Sequence, residues 1–188
     1  MDTRTRLIEA TRELLWERGY SATSPREILK RADAGQGSMY HHFAGKEELA
    51  VAAIEESAAV MRAEADALLS MDGTASSRVI AYLQRQRDSL RGCRIGRMTY
   101  DAEVLATPDL LRPVENTFSW LVDRIADVIR EGVNDRELPP KTDPHHLAAM
   151  IVATVQGGYV LARASQDPNA FDAAVDGAVG LLSGWSRA

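Results

Sequence analysis

Twenty residues near the start of the chain, Ser24 to Phe43, leave it little conformational choice. Ser24 is a favoured N-cap, Pro25 suits the first helical position, and Glu27 completes an S-x-x-E capping box. Ile28, Leu29 and Ala32 then form one apolar stripe, which Asp33-Ala34-Gly35 interrupts with residues that tolerate turn geometry. A second helix of about two turns follows, with Met39 and Phe43 four apart on one face and Gln36, Ser38, Tyr40 and His41 on the others. Two short helices joined by a tight turn make a helix-turn-helix pattern, whose second helix can present its side chains to a DNA major groove.

The remaining segments also read as helices. Residues 3–18 carry Leu7, Ile8, Thr11, Leu14 and Leu15 on one stripe and stop at Gly19. Lys46-Glu47-Glu48-Leu49 opens a long fourth helix to about Met71, its glutamates suited to the positive end of the helix dipole. A fifth helix is expected at 75–91, a sixth at 96–106, a seventh from Pro108 to about Asn134, an eighth at 144–166 and a ninth from Asp167-Pro168 to about Ser186. Nine helices and no convincing strand define an all-α fold. It divides into a three-helix head, residues 1–45, and a six-helix body, residues 46–188.

The chain carries a net charge of −5, which bears on any contact with nucleic acid. Residues 1–50 hold eight Lys/Arg and eight Asp/Glu, so the acidity belongs to the rest. A neutral head can still gather Arg4, Arg6, Arg26 and Lys46 on one surface, with modest long-range attraction to phosphate. The single cysteine, Cys93, excludes an internal disulfide and a multi-cysteine zinc site. No run approaches the roughly 18 uninterrupted apolar residues that span a bilayer, and the N-terminus has no signal-peptide core. These features make a cytoplasmic protein without membrane contact the expectation.

The eighth helix, from Leu147 to Ala162, is apolar on nearly every side and carries Gly157-Gly158. The ninth adds Phe171, Val175, Val179, Leu182 and Trp185, with Gly177, Gly180 and Gly184 at helical spacing. Pairing of these two helices with their copies would build a four-helix dimer interface. A central helix buried within one subunit is the other solution.

From Thr5 to Ile54 the chain resembles the DNA-binding domain of the TetR family of one-component transcriptional regulators. The resemblance runs through Arg18-Gly19-Tyr20, Ala22-Thr23-Ser24, Ile28 and Ala32, is densest over Gly37-Ser38-Met39-Tyr40-His41-His42-Phe43, and continues through Lys46-Glu47-Glu48-Leu49. Gly92-Cys93-Arg94-Ile95-Gly96 and Gln156-Gly157-Gly158 are similar to a multidrug-type subgroup. The chain departs from the family at two points: Asp33 stands where glycine is usual, and Gly35 where serine or threonine is usual. Asp tolerates the left-handed conformation and Gly can N-cap, so the turn is expected to survive.

The resemblance implies a homodimer on a palindromic DNA operator, released by a small apolar or amphipathic effector. Gln36 can pair with an adenine edge. Gly37 and Ser38 allow close approach, and Tyr40 resembles the family's phosphate-contacting tyrosine. His41 is a phosphate or base contact, while His42 either joins it or packs on the first helix. Lys46 reaches phosphate from a helix start, and Thr23, Ser24 and Arg26 add backbone contacts, Ser24 chiefly as a cap. In the body, Met61, Met98, Tyr100, Trp120, Gln156 and Tyr159 are adaptable or amphipathic side chains suited to an effector pocket, although each also serves as core or helix contact. Adjacent histidines on a helix diverge by about 100°, so His41-His42 does not make a metal site. No metal, cofactor or catalytic constellation is read. Cys93, between Arg91 and Arg94, is either a redox-sensitive thiol or an inert one. The competing class is a helical small-molecule-binding protein or enzyme in which the head is only structural.

Overall fold

The first helix, α1 (Thr3–Arg18), buries Leu7, Ile8, Ala10, Thr11, Leu14 and Leu15 on one face. Asp2 caps it by accepting the Thr5 N–H at 2.7 Å. Gly19 ends it with φ +87° and ψ 177°, a backbone region that side chains other than hydrogen rarely allow. In the computed structural model, residues 2–185 are described, with side chains through Gly184. The expected helix end at Ser186 and the Trp185 side chain lie outside the described residues.

Nine further helices follow among the described residues: α2 (Pro25–Ala32), α3 (Gln36–His42), α4 (Lys46–Leu69), α5 (Ala75–Gln84), α6 (Arg94–Met98), α7 (Ala102–Ala106), α8 (Pro108–Asn134), α9 (Pro144–Ser165) and α10 (Asn169–Trp185). No strand occurs among these residues, as the all-α reading expected.

Two segments differ from that reading. Helix α5 stops at Gln84 and does not reach residue 91, because Arg85 turns extended at φ −56° and ψ 142°. The Arg87 side chain then folds back and donates to the Tyr82, Leu83 and Arg85 carbonyls at 2.6, 2.7 and 2.9 Å. A guanidinium thus satisfies the C-terminal acceptors that another helical turn would have used. The segment 96–106 is two helices, not one, so among the described residues seven helices follow the head where six were expected. Thr99 and Tyr100 close α6 with short-range bonds, and Asp101 caps α7 by accepting the Glu103 and Val104 N–H groups.

The chain divides into two compact units. The first joins Met1–Met61 to Cys93–Thr117, and the second joins Arg62–Gly92 to Phe118–Ala188. In the first, α1 packs against α2, α3 and α6. Its core includes Leu7, Ile28, Met39, Leu49, Ile54, Ile95 and Met98, all almost fully buried.

In the second unit α10 packs on α9 and α5. Asp143 caps α9 by accepting the His146 N–H, and Gln166 closes it in the left-handed conformation. The mid-helix Gly158 has a clear reason: a β-carbon there would stand 2.9 Å from the Phe171 ring of α10. Helix α9 has the length and composition to cross a membrane. Eight of its 22 residues, including Ile151, Val155 and Tyr159, are buried within the protein.

Candidate nucleic-acid interface

The capping box read from the sequence is present at the start of α2. Glu27 N–H donates to Ser24 Oγ at 3.3 Å, and Ser24 N–H donates to Glu27 Oε2 at 3.1 Å. Hydrogen bonds from Ser24, together with the neighbouring Arg18, hold the Glu27 carboxyl below its ordinary range. At the far end Asp33 takes the left-handed conformation, φ 47° and ψ 55°, while its N–H donates to the Leu29 carbonyl. Gly35 caps α3 in extended backbone without a side-chain bond. Both departures from the family pattern therefore keep the turn. Arg6 of α1 braces it by donating to the Asp33 carbonyl at 3.3 Å.

Met39 of α3 and the C-cap Phe43 just after it are 1% and 3% exposed and seat the helix on the head. The opposite side is open. Gln36, Gly37, Ser38, Tyr40 and His41 are all exposed, Tyr40 by 55%. His42 is half-buried, with its ring edge-on to Phe43 at 6.4 Å. Arg26 is exposed in the first turn of α2, and Ser24 is half-buried and engaged in the cap. Thr23 differs from expectation. It is only 2% exposed and its hydroxyl donates inward to the Gly19 carbonyl at 2.7 Å, so that hydroxyl braces the α1–α2 turn.

Two cations frame this surface. The Lys46 ammonium, at the start of α4, lies 3.9 Å from the centroid of the Tyr20 ring. Arg4, one of the cations the head was expected to gather, places its guanidinium 5.4 Å from the centroid of the Phe43 ring.

The proposed effector residues fall in both units. In the first, Met98 is 1% exposed, Met61 is half-buried and Tyr100 is 69% exposed. In the second, Trp120 and Gln156 are half-buried, and Tyr159 is 8% exposed with its ring centroid 4.8 Å from that of Phe171. Two open grooves lie elsewhere. One of about 570 Å³ is bordered by Pro139, Lys141, His146 and Met150, and one of about 410 Å³ by Arg6, Glu13 and Arg31. Cys93 is half-buried and caps α6, its sulfur accepting the Gly96 N–H at 3.2 Å with Met61 Sδ 4.0 Å away. No cluster of three or more His, Cys, Asp or Glu fit to hold a metal occurs among the described residues.

Two family models match the chain. Residues 7–53 match that of the bacterial regulatory proteins of the tetR family, and residues 74–178 match the tetracyclin repressor-like C-terminal domain. The chain belongs to the TetR family.

Its relatives agree with this placement along nearly the whole chain. The uncharacterized HTH-type transcriptional regulator in the lacX 3' region of Lactococcus lactis is 26% identical over 184 residues, covering 93% of this chain and 90% of that one. The HTH-type transcriptional repressor NemR of Escherichia coli is 26% identical over 173 residues, covering 88% and 86%. Among solved structures, the reduced form of E. coli NemR superposes with a TM-score of 0.84 at 25% identity, covering 94% and 95%. A TetR-family regulator from Cytophaga hutchinsonii shares the fold with a TM-score of 0.86 at 23% identity, covering 97% and 94%.

As a TetR-family member the protein is a ligand-responsive DNA-binding transcriptional regulator and not an enzyme. TetR-family regulators bind DNA operators, form dimers and answer to effector ligands.

Proposed function

We propose that this protein is a homodimeric repressor that reads a palindromic operator with α3 and leaves it when a small apolar or amphipathic effector binds. The observation that carries the reading is the division of α3 between a buried face, Met39 and Phe43, and an open row of Gln36, Gly37, Ser38, Tyr40 and His41. Gln36 and Ser38 would read base edges, with Tyr40, His41, His42 and Lys46 on or near phosphate. Ser24 and Arg26 would flank them, and Thr23 would hold the turn. Residues 1–45 would serve as the DNA-binding domain and residues 46–188 as the effector and dimer domain. Repression is supported by the similarity to NemR, a transcriptional repressor, and a cytoplasmic location goes with acting on DNA.

The dimer would form through α9 and α10, the eighth and ninth helices of the sequence reading. Their outward residues support this. Val160, Leu161 and Leu181 are 49%, 54% and 59% exposed, and β-carbons placed at Gly157, Gly177, Gly180 and Gly184 would meet nothing within 4 Å. An apolar face with that much room at its glycines suits close helix approach. The effector would contact some of Met61, Met98, Tyr100, Trp120, Gln156 and Tyr159. To empty a mostly occupied operator, it must favour the released state by several kcal/mol, about 5 for a near-complete switch.

The test is titration of DNA flanking the protein's own gene with wild type, Gln36→Ala and Tyr40→Phe. Weakened binding in both variants with unchanged thermal unfolding is expected; undiminished affinity in both would overturn the assignment of α3.

A further inference from the structure

Asp101 stands between α6 and α7, 80 residues along the chain from its partner Ser21, and both belong to the first compact unit. Its carboxylate receives four donors. Ser21 N–H donates to Oδ2 at 2.8 Å and Ser21 Oγ–H to Oδ1 at 2.6 Å, while Glu103 and Val104 N–H donate to Oδ1 at 3.1 and 3.4 Å. Asp101 is only 9% exposed, so these donors replace water around the charge. Its Oδ2 also occupies the space above Gly19, where a β-carbon would come within 2.9 Å.

The other end of this bond lies outside any helix. Ser21 is exposed, in the connection that leaves α1 after Arg18 and enters α2 at Pro25. Because α2 and α3 pack on α1, the bond from Ser21 ties the three-helix head to the junction of α6 and α7. A second tie between the same parts lies nearby in the chain: Arg94 of α6 donates to Glu13 of α1 at 2.5 Å and stacks over Trp16 at 3.8 Å.

We propose that Asp101 is a positioning residue for DNA recognition: through Ser21 it fixes the angle of the helix-turn-helix, and with it the half-site spacing the dimer accepts. The inference rests on the reading of α3 as the DNA-reading helix of a two-fold dimer. Adding one base pair between half-sites moves them apart by about 3.4 Å and rotates them by about 35°. A head held at a fixed angle cannot follow that change. A head released from Asp101 can.

The experiment starts with operators selected from random double-stranded DNA by the wild-type protein. Variants of the selected site move the half-site centres by one or two base pairs, and a single half-site is made beside them. Wild type, Asp101→Asn and Ser21→Ala are titrated on each. Asp101→Asn keeps the volume but turns one acceptor oxygen into a donor; Ser21→Ala removes one of the four bonds.

The expected result is a loss of about tenfold or more per added base pair for wild type, under about threefold for Asp101→Asn, and an intermediate loss for Ser21→Ala. Half-site affinity stays equal in all three. A merely structural role lowers half-site and full-site affinity together and leaves the spacing profile unchanged, and that outcome overturns the proposal. Should Asp101→Asn fail to fold, Ser21→Ala decides the matter by its profile alone. Failure of the wild type to select any operator would overturn the reading of α3 itself.

Discussion

The Lys46 ammonium rests 3.9 Å from the centre of the Tyr20 ring, so the cation proposed to reach phosphate is held against an aromatic face. Tyr20 is 8% exposed, and its hydroxyl is pushed above its ordinary pKa by burial and by Glu47, Glu103 and Asp101. The ring thus keeps Lys46 near the edge of the α3 surface instead of leaving a long side chain free to roam. Lys46→Gln is expected to weaken operator binding and reduce its salt dependence by about one ion per head, with little change among operator sequences. Titrations at several salt concentrations check this; an unaltered salt slope would remove Lys46 from the interface.

Gly19→Ala is expected to destabilise the fold by about 1–3 kcal/mol from backbone strain, because the residue sits at φ +87° and ψ 177°. The added methyl would also stand 2.9 Å from Asp101 Oδ2, forcing the carboxylate off Ser21. Urea denaturation gives the first effect. Faster amide exchange at Ser21 gives the second, since its N–H loses the acceptor it now has at 2.8 Å.

Asp101 also makes a prediction about acid. Burial pushes its carboxyl up, but donation from Ser21, Val104 and Glu103 outweighs this and holds it below its ordinary 3.8. A carboxyl with a folded pKa below its unfolded one stabilises the fold fully above the unfolded value and loses that contribution as pH falls through the folded value. The stability gap between wild type and Asp101→Asn is therefore expected to be constant near neutrality and to shrink below about pH 4. Denaturation curves at pH 7, 4 and 3 measure it, and a gap that widens in acid would contradict the hydrogen-bond assignment.

The outward face of α9 and α10 makes the dimer testable. Leu181 is 59% exposed in the single chain, so a glutamate there costs the isolated subunit little. Leu181→Glu is expected to yield a folded monomer by sedimentation equilibrium and to lose about a hundredfold or more in affinity for the full operator, as two linked heads become one. A stable dimer with that substitution would place the interface elsewhere.

Much of the head could be read from residues in order, because its determinants are local. The Ser24–Glu27 box, Pro25, Asp33 in the left-handed turn and the Met39–Phe43 pair each act within four or five residues, so spacing alone carries them. The same holds for the starts of α4, α5, α8 and α9, which lie at the positions expected from the sequence.

What pattern could not supply was decided by partners distant in sequence or by side chains that fold back. Helix α5 ends early because Arg87 takes its terminal carbonyls, a choice invisible to periodicity, which would have carried the helix to residue 91. The 96–106 stretch breaks at Asp101 because that carboxylate serves both α7 and Ser21, 80 residues away. Thr23 turned inward for the same kind of reason, its hydroxyl finding the Gly19 carbonyl. By itself the sequence determined the all-helical class, the helix-turn-helix and the identity of its open row, since these follow from capping, turn chemistry and a 3.6-residue period. Only the tertiary structure decided where the head is anchored, because a buried carboxylate must find its donors wherever the chain brings them.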